Sequence, residues 1–179
     1  AVIGTLDPTL QNVSLSKDLK DTFIIRRGDT EIIIQEGKLL NREVLSSGTA
    51  EGIDVAMFLA AMKAKENSFY YCDEHFSYIQ SDIEKRIFGI MLDRLGENEQ
   101  LIFTTHNTDM LDLNLPKHSY VFLRKRLEDD AYKVSAISAS DVLKRNTDSV
   151  RNAVENDVFA SLPQDSLLDE LEMGWADEQ

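Results

Sequence analysis

One cysteine, Cys72, stands alone among 179 residues, so no disulfide can form within the chain. A reducing, cytoplasmic setting is the default expectation for such a sequence. No apolar run approaches the length of a membrane span, and no charged n-region with an apolar h-region opens the chain. The first residue is alanine, so either an initiator methionine was removed or the sequence is part of something longer. No internal repeat is visible. From Asn152 to Gln179 there is neither lysine nor arginine. Positive charge is scarce overall: the formal net charge is −13. A surface that acidic repels phosphate backbones, which makes this segment alone a poor nucleic-acid binder.

What is present is enough apolar residue, 42%, to bury a core. The basic-free end carries Glu155, Asp157, Asp165, Asp169, Glu170, Glu172, Asp177 and Glu178. It reads first as a solubilising tail over 147–179. Leu167, Leu168, Leu171 and Met173 among the acids also fit a short amphipathic helix that docks on a partner or on the parent body. The first 20 residues are ambiguous apart from a turn at Asp7-Pro8. Thr22–Ile25 and Glu31–Gln35, rich in β-branched residues, flank Gly28 and predict a β-hairpin. Glu36-Gly37-Lys38 predicts a second turn. Ile53, Ala56, Met57, Ala60 and Ala64 recur at helical spacing after Leu45-Ser46-Ser47-Gly48-Thr49. Ser68–Cys72 and Gln100–Thr104 have the short apolar form of strands buried on both faces. Asp82–Leu95 between them is helical, with Ile83, Ile87, Ile90 or Met91, and Leu95 on one side. Asn107–Leu113 fits one or two helical turns. Ser119–Arg124 and Tyr132–Ile137 form a strand pair, and short helices follow at Ser140–Arg145 and Ser149–Phe159.

Strand, helix, strand is the α/β pattern, and a crossover helix makes its strands parallel. The expected fold is therefore α/β, a mostly parallel sheet core with flanking helices plus a β-hairpin. Ligands in such folds sit at the carboxyl ends of the strands. One strand ends there in Asp73-Glu74, the other in Thr104-Thr105-His106-Asn107. A magnesium–nucleotide chemistry suits that arrangement. One carboxylate holds the cation, which prefers oxygen ligands and keeps several waters. The next orients or deprotonates an attacking water, and a histidine from the neighbouring strand hydrogen-bonds the γ-phosphate or that water. Ser46-Ser47-Gly48 before a helix is an N-terminal cap and equally a place where free N–H groups meet an anion.

Taken in order, Leu45-Ser46-Ser47-Gly48-Thr49, the apolar run into Asp73-Glu74, Ser77-Tyr78-Ile79-Gln80, and Phe103-Thr104-Thr105-His106-Asn107-Thr108 resemble the C-terminal half of an ABC-type ATPase. The likeness is to the AAA-family ATP-binding proteins related to the OLD, RecF and SMC groups, and it covers about residues 20–137. The fold it implies is the C-terminal lobe of a P-loop NTPase, over 1–146. The resemblance implies ATP and Mg²⁺ as cofactors. It makes Ser46, Ser47, Gly48 and Thr49 a signature loop that reaches the nucleotide of a second subunit. Asp73 becomes the Walker B metal ligand, Glu74 the catalytic base, Ser77–Gln80 the D-loop and His106 the switch histidine. Ser47 replaces the first glycine of the transporter signature and Thr49 its glutamine, which places the sequence nearer the non-transporter branch. Tyr78 and Gln80 depart from the usual D-loop.

No G-x-x-x-x-G-K-[ST] occurs; the one Gly-Lys, Gly37-Lys38, is followed by Leu39. The expected protein is thus the C-terminal part of a longer ATPase, inactive alone. The implied partners are the N-terminal half of the same protein, a second copy in an ATP-dependent homodimer, and DNA through the remainder of the protein; a membrane is not among them. Two other readings stand beside it. One is a catalytically silent interaction module that keeps the fold. The other is a metal-dependent phosphoesterase drawing on Asp73, Glu74, His75, His106, Asp109 and His118. Cys72, Phe69, Tyr70 and Tyr71 read as packing residues. Lys117, Arg124, Lys125 and Arg126 form a small basic patch.

Overall fold

The computed structural model describes residues 2–65, 68–128, 131–161 and 173. It is a mixed α/β protein whose chain divides into two compact units, Ala1–Asn107 and Thr108–Gln179.

In the first unit a short helix α1 (Val2–Leu6) precedes a four-stranded antiparallel sheet of β1 (Gln11–Leu15), β2 (Thr22–Arg27), β3 (Thr30–Gln35) and β4 (Lys38–Leu39), in that order. The expected hairpin is β2–β3, in register from Thr22↔Gln35 to Arg27↔Thr30. Its turn needs a left-handed residue, and Gly28 supplies it at φ 55°. Glu36 and Gly37 both take positive φ in the turn to β4. Pairing Ile25 with Ile32 puts β-branched side chains on one face, where Ile25, Ile32 and Ile34 close over Ile53.

Ile53 belongs to α2 (Ser47–Ala64), capped by Ser46, whose hydroxyl accepts from the Thr49 N–H at 3.2 Å. The predicted single apolar stripe is corrected here. Ile53 and Met57 face the sheet, but Ala60 and Ala64 are exposed, and Val55 and Met62 are buried on another side. The helix lies between the antiparallel sheet and a second core, so apolar residues are wanted on two sides.

That second core rests on β5 (Phe69–Asp73), α3 (Ser81–Arg94) and β6 (Gln100–Thr104). Strands β5 and β6 are parallel, from Phe69↔Gln100 to Asp73↔Thr104. The crossover therefore behaves as the pattern requires, but the expectation of a mostly parallel sheet is corrected: the other strand pairings among the described residues are antiparallel. The strand core is also one-sided. Tyr70 and Cys72 point inward with Met62, Phe76, Ile87 and Met91, while Phe69 and Tyr71 stand 54% and 52% exposed. Two adjacent strands cannot supply layers on both faces, and nothing among the described residues covers the outer one. On α3, Ile87, Phe88 and Met91 are buried and Ile90 is exposed, which settles which residue belongs to the stripe. Phe103 of β6 packs between Phe76 and Phe88, at centroid distances of 5.3 and 4.7 Å.

The second unit opens with 3-10 turns at Thr108–Asp112 and Lys117–Ser119, followed by the hairpin β7 (Val121–Glu128) and β8 (Ala131–Ser138). Helices α4 (Ala139–Val142) and α5 (Val150–Glu155) are shorter than expected. Phe159 is fully buried among Ala139, Val150, Ala153 and Val154, stacked 4.0 Å from Phe122. Arg151 gathers Asp109, Asp112 and Glu155 around one guanidinium. The leucines of the expected amphipathic tail helix, Leu167, Leu168 and Leu171, lie outside the described residues.

Candidate functional site

Asp73 closes β5, and the chain turns sharply at Glu74, whose φ of 49° lies in the left-handed region. A non-glycine residue there is uncommon and costs about 1 kcal/mol or more, so the surroundings must hold it. Thr104, opposite Asp73 on β6, does so. The Glu74 N–H donates to the Thr104 carbonyl at 3.2 Å and to Thr104 Oγ1 at 3.1 Å. The Thr104 hydroxyl in turn donates to Asp73 Oδ1 at 2.6 Å. One threonine thus fixes both neighbouring acids, which remain exposed at the carboxyl rim. Tyr71 feels their charge: its hydroxyl pKa is raised, first by desolvation and then by Asp73 and Glu74.

Past this rim lies a cleft of about 240 Å³, lined in part by Glu74, Ser77, Ser81, Glu84, His106 and Asn107. The structure therefore brings Glu74 and His106 to one cavity, with Asp73 beside it on the strand. Ser46, Ser47, Gly48 and Thr49 do not line it. They sit at the start of α2, against the loop after Glu74: a Cβ added to Gly48 would come within 3.2 Å of the Tyr78 carbonyl oxygen. The absence of a side chain at Gly48 lets that loop approach. The Thr49 hydroxyl is already engaged, 2.9 Å from Asp7 Oδ2 and 2.8 Å from Ser46 Oγ. Hydrogen bonds from Thr9 and Thr49 hold the Asp7 carboxyl below its ordinary pKa, against some desolvation.

Two residues that the sequence did not single out complete the arrangement. Glu51 is 6% exposed on α2, and its two carboxylate oxygens accept the N–H groups of Ser77, at 3.2 Å, and Tyr78, at 2.8 Å. Burial raises its pKa despite those donors. Glu84, 2% exposed on α3, accepts from the Thr105 hydroxyl at 2.8 Å and the Asn107 amide at 2.5 Å. For Glu51 the available signal was an acid inside the otherwise small and apolar run Thr49-Ala50-Glu51-Gly52-Ile53. Glu84 has no such mark, because acids are common in the first turn of any helix.

Among the described residues no three His, Cys, Asp or Glu side chains come together to hold a metal ion. The oxygen groups at the rim are the neighbouring carboxylates of Asp73 and Glu74 and the Thr104 hydroxyl. They fit a hard cation that keeps waters and takes other ligands from a phosphate, which is the habit of Mg²⁺.

No family model matches the chain, and no curated protein matches it. Solved structures similar to it include two of SMC heads. One is an SmcHead bound to the C-winged helix domain of ScpA, at 17% identity and a TM-score of 0.48 over 79% of this chain. The chain spans 42% of that protein's length. The other comes from work on ATP-driven dimerization and DNA-stimulated activation of SMC ATPases, at 16% identity and a TM-score of 0.46, covering 80% of this chain and 83% of that one.

Proposed function

We propose that this chain carries the hydrolytic half of an ATP site in a non-transporter ATPase of the ABC type. What carries the reading is the meeting of Glu74 and His106 in one cleft, on adjoining parallel strand ends, beside a carboxylate suited to magnesium. Asp73, braced by Thr104, would hold Mg²⁺, which when bound neutralises phosphate charge. Glu74 takes the proton from water as its oxygen bonds to the γ-phosphorus and the bond to the β-phosphate oxygen breaks, releasing ADP. The His106 imidazole donates a hydrogen bond to the γ-phosphate and stabilises the charge that develops there. Ser46, Ser47, Gly48 and Thr49 head α2 as the surface offered to a nucleotide on a second copy, in an ATP-dependent dimer. The ATPase portion covers 1–146 and the acidic segment 147–179, whose Val150, Ala153, Val154 and Phe159 pack with Ala139 in the second unit. The α- and β-phosphates are then cradled by a P-loop from elsewhere in the same protein, which also carries any DNA contact, and the setting is cytoplasmic.

In the P-loop-containing protein, Glu74→Gln lowers ATP turnover by about 100-fold or more while ATP binding and dimerisation persist. Equal loss of binding would remove the base role of Glu74. A second reading, an interaction module without turnover, is favoured by one fact: the sequence has no G-x-x-x-x-G-K-[ST]. No ATP turnover in the parent protein, before any substitution, would select it.

A further inference from the structure

His106 is exposed, and no side chain among the described residues hydrogen-bonds its ring. Its position is therefore set by its neighbours, and both neighbours are held by one group. Glu84 Oε1 accepts the hydroxyl of Thr105, and Glu84 Oε2 accepts the side-chain amide of Asn107. The same amide lies 2.9 Å from Ser81 Oγ, one helical turn before Glu84, and the Asn107 N–H donates to Thr105 Oγ1 at 3.0 Å. The first turn of α3 thus grips the histidine loop from both sides of His106. A carboxylate that is 2% exposed loses its water on folding. That loss is tolerated only where protein donors replace the water, and here both donors come from the histidine loop. The helix that presents Glu84 also begins where the loop carrying Glu74 ends, so one rigid element spans the two sides of the cleft.

We infer that Glu84 is a positioning residue: it fixes the separation of His106 from Glu74 without touching a reacting atom. The inference rests on the proposed ATPase reading for its consequence, but its structural content can be measured apart from turnover. The chain has three histidines, so the His75 and His118 ring signals serve as internal controls for His106 in proton–carbon NMR. In Glu84→Ala the His106 ring signal moves. Backbone amides from Thr104 to Thr108 exchange with solvent about 10- to 100-fold faster, the scale of losing hydrogen bonds to a carboxylate. The other two ring signals and the amides of β2 and β3 stay as they were. Glu84→Gln keeps an acceptor for Thr105, and the Asn107 amide can turn to meet the new donor, so exchange rises by a smaller factor at the same residues. Should Glu84→Ala fail to fold, Glu84→Gln decides by that selective rise. Unchanged exchange at 104–108, or a uniform rise through the whole unit, overturns the positioning role. In the P-loop-containing protein Glu84→Ala then lowers kcat about 100-fold with KM little changed, as a misplaced catalytic group does. If the NMR result holds but turnover survives both Glu84→Ala and Glu74→Gln, the positioning stands and the roles proposed for Glu74 and His106 in hydrolysis fall.

Discussion

Tyr70 shows how a single atom can be at odds with its surroundings. Its ring is 4% exposed, set edge-on against Phe58 at 5.9 Å, and its hydroxyl is buried with no hydrogen-bond partner among the described residues. An unsatisfied buried hydroxyl costs about 1–3 kcal/mol, and removing it keeps the ring packing. Tyr70→Phe is therefore expected to raise stability by about 1 kcal/mol, seen as a higher urea midpoint at an unchanged slope. Two residues along the strand, Cys72 is 1% exposed, and burial pushes its thiol up to about 11. The neutral thiol is the form the fold favours, so the stability tied to it is present at neutral pH and lost as pH rises through about 11. The same burial removes thiolate, the reactive species. A disulfide reagent at pH 8 should label the folded protein at least about 100-fold more slowly than the urea-unfolded chain. Both residues read correctly as packing in the sequence, because an apolar run flanked by polar ends has few other uses. The orphaned hydroxyl was not readable, since it depends on what the fold fails to bring near.

Helix α2 presents an element-scale case. A glycine inside a helix costs about 1 kcal/mol relative to alanine, yet Gly52 sits in its second turn. The reason is α1: a Cβ on Gly52 would lie 2.6 Å from Leu6 Cδ1 and 3.4 Å from Leu6 Cβ. Gly52→Leu is expected to displace α1, exposing residues 2–7 to limited proteolysis while far-UV circular dichroism keeps the signal of α2. Cleavage that stays as slow as in the parent chain would mean that α1 does not depend on this contact. Glu51, one residue earlier, acts on the other side of the helix by holding the Ser77 and Tyr78 amides. Helix existence was legible here from spacing and from the Ser46 cap. The buried sides were not, because α2 meets two cores and its pattern is a superposition of two stripes.

For the whole molecule, charge and exposed apolar surface oppose each other. A net charge of −13 and a sequence pI near 4.6 keep copies apart at neutral pH. Phe69 and Tyr71 on one unit, and Val121, Leu123 and Val134 on the other, remain open to solvent. Light scattering is expected to rise sharply as pH approaches 4.6, where repulsion vanishes, and to fall again on either side. No helix among the described residues is long and apolar enough to cross a membrane. The sequence by itself determined the local features: the β2–β3 hairpin through Gly28, the β5–α3–β6 crossover, and Asp73, Glu74 and His106 at strand ends. These follow from turn chemistry, hydrophobic period and the rule that a crossover makes strands parallel, all of which act over a few residues. Only the tertiary structure decided that, among the described residues, the parallel pair stands alone with one face open, and that Glu51 and Glu84 face inward to brace the loops of the cleft. Those carboxylates find their donors 21 to 27 residues away. No local pattern records such a meeting, because an acid on a helix is most easily solvated until the folded chain takes the water away.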